Sequence, residues 1–304
     1  MRRLFLIPVL IAVSACSDPQ QPPPLAPVVI GKLESPVIRE ASGLARSQRE
    51  ENLLWVINDN GAKEWVHAVS PRGTRRGEFD LKKSNNKDWE DLASFELDGK
   101  PYLLVADIGD NDAKRKSRTL YFVEEPAVAK KDKARVAWRV DFKYPDGPRD
   151  AEAAAVDIEN KRALVLTKRD IPPVLYELPL EASDDKKVTA QWLGTIKSLP
   201  APSRQDVAFA PKTKDWHWQP VGMDISADNL AAVILTYRAV YYYLRRPDQD
   251  WFDALNTRPL RVSLGRFPNA EAIAFADDKR RVVVTGENKH SPLLLIDFSK
   301  RPTE

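Results

Sequence analysis

Five times along this chain an acidic residue set among small residues opens an apolar run, and no other feature restricts the fold so strongly. The five are Glu40-Ala41-Ser42-Gly43-Leu44, Trp89-Glu90-Asp91-Leu92-Ala93, Ala151-Glu152-Ala153, Met223-Asp224-Ile225-Ser226 and Ala270-Glu271-Ala272-Ile273. After each comes a polar turn and then an almost wholly aliphatic run, at 53–57, 102–106, 163–167, 231–236 and 281–285. Units repeating at roughly fifty to seventy residues are the mark of a radially closed architecture whose matching positions meet on one axis.

The remaining pattern is all-β. From residue 28 onward the apolar runs are short, alternating or continuous, and bounded by Asp, Asn, Gly and Pro, with no long 3.6-period segment. Third runs follow at 66–70, 120–123, 174–178, 240–244 and 293–298, and fourth runs near 78–81, 137–142, 191–196 and 260–264. Four strands per unit predict a β-propeller of five four-stranded blades; a six-bladed ring with one degenerate blade is the alternative. The fifth unit lacks a fourth strand, and residues 28–33 would supply it, closing the ring with an N-terminal strand. The stretch 200–220, with Trp216-His217-Trp218, reads as a face loop or lid. Trp55 and Trp89 read as core, and Tyr241-Tyr242-Tyr243 as a third strand.

The N-terminus sets the expected compartment. Met1-Arg2-Arg3 is basic and residues 4–13 are apolar, about half of what a bilayer span needs but suited to a signal peptide. Val13-Ser14-Ala15-Cys16 resembles the lipobox of bacterial lipoproteins. That resemblance implies a signal peptide over 1–15, lipidation of Cys16 as the new first residue, and, with Ser17 following, an outer-membrane anchor facing the periplasm. Residues 16–27 form a Pro-rich tether and 28–304 a single propeller domain. Cys16 is the chain's one cysteine, so the body has neither disulfide nor thiol nucleophile. Without Arg2 and Arg3 the 47 basic and 44 acidic residues nearly balance, and no basic stripe points to nucleic acid.

In a propeller the start of each first strand and the end of each second strand share one face. The channel mouth is therefore expected to gather Glu40, Glu90, Asp91, Glu152, Asp224 and Glu271 with Asp59, Asp107, Asp110, Asn111, Lys168, Arg238 and Glu287. Acids crowded there need protons, cationic partners or a bound cation. Two readings stand. In one, the acids crosslink blades through backbone N–H groups, Lys and Arg. In the other, Glu40, Glu90, Glu152, Asp224 and Glu271 ligate a hard cation such as Ca²⁺. Asp107 to Asp112 is not an EF-hand, because Arg118 holds the twelfth place where Glu is required. His67, His217 and His290 are scattered, without zinc spacing.

At these residues the chain resembles a group of secreted bacterial propellers. The motifs are Asn58-Asp59-Asn60-Gly61, Asp88-Trp89-Glu90-Asp91-Leu92-Ala93, Ala106-Asp107-Ile108-Gly109-Asp110-Asn111 and Val221-Gly222-Met223-Asp224-Ile225-Ser226-Ala227-Asp228. The fourth departs from the pattern, with Asn229 where Gly is usual. The wider resemblance is to TolB-like and phytase-esterase-like propellers. It implies the fold and a calcium site, but no particular reaction. The functional expectation is a membrane-anchored binding or scaffold propeller, its partner a small anionic ligand or an envelope protein. The alternative is a cation-dependent hydrolase of a phosphate ester or lactone.

Overall fold

The computed structural model describes residues 25–59, 61–181, 187–199, 204, 208, 218–267, 269–277 and 280–300. Cys16, the signal segment, Trp216 and His217 lie outside the described residues.

Five sheets, each built on four antiparallel strands, stand in a ring. The closing strand β1 (Val28–Lys32) comes first in sequence. Blade 1 follows as β2 (Ala41–Arg46), β3 (Leu54–Asn58), β4 (Trp65–Val69) and β5 (Arg75–Lys82). Blade 2 is β6 (Trp89–Leu97), β7 (Lys100–Asp107), β8 (Arg118–Glu124) and, after a short β9 (Asp132–Arg135), β10 (Trp138–Lys143). Blade 3 is β11 (Ala151–Asp157), β12 (Arg162–Thr167), β13 (Val174–Pro179) and, after β14 (Val188–Thr189), β15 (Gln191–Thr195). Blade 4 is β16 (Pro220–Ile225), β17 (Ala231–Thr236), β18 (Ala239–Leu244) and β19 (Leu260–Ser263), with the short helix α1 (Trp251–Leu255) before its last strand. Blade 5 is β20 (Ala270–Phe275), β21 (Arg281–Gly286) and β22 (Pro292–Asp297).

The ring closes as the sequence predicts. β1 pairs antiparallel with β22, Val28 opposite Leu295 and Lys32 opposite Pro292, and completes blade 5. There are five blades. Two strands go beyond the sequence reading. β9 adds in parallel to the outer edge of β5, and β14 to the outer edge of β10. In both cases the connection before a blade's last strand reaches back and caps the preceding blade. Their sequences, DKAR and VT, carry no apolar run, which is why they read as loop.

Burial explains the sequence pattern. Five hydrophobic clusters lie at the five seams between neighbouring blades. The second strands are buried on both faces, hence their continuous aliphatic runs. Trp55, Trp89 and Tyr243 are buried, as expected of core residues. The first strands are rich in Ala and Gly because they crowd the axis: a Cβ on Gly43 would meet the backbone of Asp91 and Leu92 in the next blade. Asn229 manages without Gly by adopting φ +56° itself, while its amide donates to Asp157 and its Oδ1 accepts from the Trp251 indole.

Candidate functional site

A β-bulge recurs at the start of every inner strand. The pairing register slips once in β2, β6, β11, β16 and β20, each time around the second residue: Ser42, Glu90, Glu152, Val221 and Glu271. A bulge turns its extra residue out of the ladder, and here four of the five line one cavity at the mouth of the channel. The cavity, about 240 Å³, also takes Asp59, Asn111, Lys168, Arg169, Gln219, Tyr237 and Glu287.

The bulge register corrects two of the sequence expectations. Glu40 lies two residues before its bulge, so Ser42 holds the matching place, with its hydroxyl on the Trp89 carbonyl at 2.7 Å. Glu40 itself is exposed, bridged to Glu287 through backbone, and borders a neighbouring cleft. Asp224 lies three residues past its bulge, deeper in the channel and away from the mouth.

Asp91 and Asp224 fasten the channel. The Asp91 carboxylate accepts N–H bonds from Leu92 (2.8 Å), Ala154 (2.8 Å) and Met223 (3.0 Å), the same tier of three different blades. Asp224 accepts from Ile225 and Phe275, one tier of blades 4 and 5. Inner strands of adjacent blades share no ladder, so these N–H groups would otherwise face the axis without partners. Burial pushes Asp91 well above the usual carboxylate range and Asp224 up to about 7, against the pull of these bonds. For these two acids the crosslinking reading holds.

Three further predicted residues are engaged outside the cavity. Asp107 meets Arg115 at 2.7 Å, and Asp110 pairs with the buried Arg118 while accepting the N–H groups of Lys114 and Arg115. The Asp107–Asn111 segment is thus a turn folded around two arginines. Arg238 turns toward the 265–267 carbonyls.

The predicted residues that do meet at the mouth are Asp59, Glu90, Asn111, Glu152, Lys168, Glu271 and Glu287. Lys168 sits among the acids: its ammonium pairs with Glu152 and lies 5.4 Å from the centre of the Tyr237 ring. Burial pulls Lys168 down, but Glu152, Glu271 and Glu90 outweigh it and hold the ammonium above its ordinary value. Burial pushes Glu152 up to about 8 and, reinforced by Glu152, drives Glu90 and Glu271 well above the carboxylate range. Tyr237 bonds to the Glu271 carboxylate. Arg169 is committed to Asp150 and Asn111. Five carboxylates line the cavity against two cations, so the mouth carries an excess of negative charge that protons or a bound cation must balance.

One cluster concentrates that charge. Asp59, Asp88 and Glu90 each bring a carboxylate oxygen to within 4.8 Å of the others. Asp88, inside the DWEDLA motif, was absent from the sequence-based site; its position just before the bulge is what turns it toward Glu90. Gly109 makes the cluster feasible, since a Cβ there would overlap Glu90 Oε1 and Asp88 Oδ2. Across the cavity, Glu152 Oε2 is buried without a hydrogen-bond partner among the described residues.

No family model matches this sequence, and no curated protein does. Solved structures do match. Mala s 1, the major allergen of Malassezia sympodialis, aligns with a TM-score of 0.53 at 10% identity, over 91% of this chain and 97% of that one. The PQQ-bound aldose sugar dehydrogenase of Streptomyces coelicolor aligns at 0.48 and 9% identity, over 91% and 99%. Chaetomium thermophilum Raptor aligns at 0.40 and 12% identity over 86% of this chain, which spans only 20% of Raptor's length. The chain is a five-bladed β-propeller. At such identities the likeness is one of fold alone, and the propeller's function has to be argued from its own mouth.

Proposed function

We propose that this propeller is a lipid-anchored binding protein of the bacterial cell envelope whose mouth holds a divalent cation, Ca²⁺ in the first place, on Asp59, Asp88 and Glu90. The observation that carries the reading is the approach of three carboxylates to within 4.8 Å at the edge of a cavity already short of positive charge, which Asp59 and Glu90 line and Asp88 backs. An all-oxygen, flexible donor set suits a hard cation, and the bound ion would supply the positive charge that Glu90 otherwise takes from a proton. The cavity of about 240 Å³ suits an ion with its waters better than a larger molecule. A hydrolase would need a cation free to hold an anionic group opposite the metal. Lys168 and Arg169 are instead tied to Glu152, Asp150 and Asn111. Binding is therefore preferred over hydrolysis.

Calcium at about one hundred times its dissociation constant is expected to stabilise the fold by about 2.7 kcal/mol. That corresponds to roughly 5–10 °C in a domain of this size. The Glu90→Gln protein should lose the response. Melting curves that are identical in calcium, magnesium, manganese and chelator would reject the cation site. The anchor is tested separately: Cys16→Ser should move the protein from the membrane fraction to the soluble fraction with its melting temperature unchanged. If the variant stays in the membrane, the lipoprotein reading fails.

A further inference from the structure

Glu40 and Asn58, the latter next in sequence to the mouth residue Asp59, line a second cleft of about 610 Å³, within the range of small-molecule sites. Its charge is opposite to that of the mouth. Arg39, Lys63 and Lys131 line it against Glu40 and Glu78, and the half-buried Trp65 forms an apolar wall with the Lys131 ammonium 4.8 Å from its ring centre.

The cleft ends on a buried histidine. His67 of β4 is 4% exposed and stands directly opposite Glu78 of β5. Its Nδ1 lies 3.2 Å from Glu78 Oε2, and that carboxylate also faces Arg75 at 3.1 Å and Lys131 at 3.9 Å. Three cationic or donor groups around Glu78 keep it an acceptor, so the imidazole proton resides on Nδ1. Nε2 is then left as a lone-pair acceptor, and no described group donates to it. Burial, partly offset by Glu78, holds His67 below its ordinary value, which keeps that lone pair available. His67 lines the cleft, so a donor bound there can reach that lone pair in place of water.

We infer that this cleft is a second binding site, for a small hydroxylated organic acid of the sugar-acid kind, with a ligand hydroxyl donating to His67 Nε2 and the acid group held by Arg39 and Lys63. The depth of the acceptor and the position of the cations at the rim set this order of groups. A simple carboxylate would engage only the rim cations, and a neutral sugar only the imidazole.

The test follows the His67 imidazole nitrogens by long-range ¹H–¹⁵N spectra of the full-length labelled protein, during titration with gluconate, glucose and acetate at fixed ionic strength. Gluconate is expected to shift Nε2 saturably, with glucose and acetate weaker by roughly tenfold or more. Lys63→Met should weaken gluconate by a similar factor while leaving the His67 tautomer and the melting temperature as they were. The site is refuted if gluconate leaves Nε2 unmoved. The acid assignment is refuted if glucose binds as well as gluconate, or if Lys63→Met has no effect. None of these readouts depends on calcium, so the result stands apart from the test of the mouth.

Discussion

Replacing Asp91 with alanine is expected to destabilise the propeller by roughly 3–5 kcal/mol, the scale of breaking a buried charged network. Three backbone N–H groups would lose their acceptor at once: Leu92, Ala154 and Met223. Each orphaned donor costs about 1–3 kcal/mol. Release of a carboxylate that burial already strains returns part of this, which sets the expected balance. Asp91→Asn should cost less, because one amide oxygen can keep the pair of bonds to Ala154 and Met223 while only Leu92 loses its acceptor. Urea unfolding checks both, read as a fall in midpoint at constant slope. If Asp91→Ala lies within about 1 kcal/mol of the parent, water fills the channel well enough to replace the carboxylate, and the fastening role is wrong.

The second large effect is expected at the seam of the ring. A chain starting at residue 34 lacks β1 and Leu33, and is compared with one starting at residue 25. The loss of the β1 ladder exposes the edge of β22, and the loss of the fully buried Leu33 opens the cluster shared with Ile38, Leu54 and Leu293. A buried leucine is worth about 2–5 kcal/mol and each ladder bond about 1. Their sum, roughly 5 kcal/mol or more, is comparable to the whole stability of an ordinary domain. The shorter chain should therefore be largely unfolded at 37 °C by circular dichroism. A cooperative melt within a few degrees of the longer chain would show that blade 5 holds without its borrowed strand.

The blades were legible in the sequence because each rests on apolar runs whose length and alternation follow from burial. The closing strand was legible because the fifth unit came up one strand short. The mouth was only half legible. Acidic markers align by residue type, whereas the site is aligned by the bulge, and a bulge adds a residue to one strand without leaving a trace in composition. Glu40 and Asp224 therefore looked equivalent to Glu90, Glu152 and Glu271, while Ser42 and Val221 hold the matching places. The one available signal was the run Asp88-Trp89-Glu90-Asp91. Three acids in four residues cannot all face one way on a strand, and they serve two purposes: Glu90 lines the mouth with Asp88 clustered behind it, and Asp91 fastens the channel. The cleft at His67 gave no motif, because its pair is made across strands.

The borrowed strand also bears on the order in which the ring can form. Val28 leaves the ribosome with the first of the folded segments, yet its partner Leu295 is among the last. Blades 1 to 4 can assemble as they emerge, each on the seam of the one before, with β9 and β14 tying blades 1 and 2 to their successors. The first strand must stay unpaired throughout that time. Even in the finished ring Val28 and Val29 remain 60% and 65% accessible. The waiting strand, Val28-Val29-Ile30 at its start, is apolar and β-branched, so until Leu295 arrives it is an unprotected pairing edge that only the closing of the ring removes.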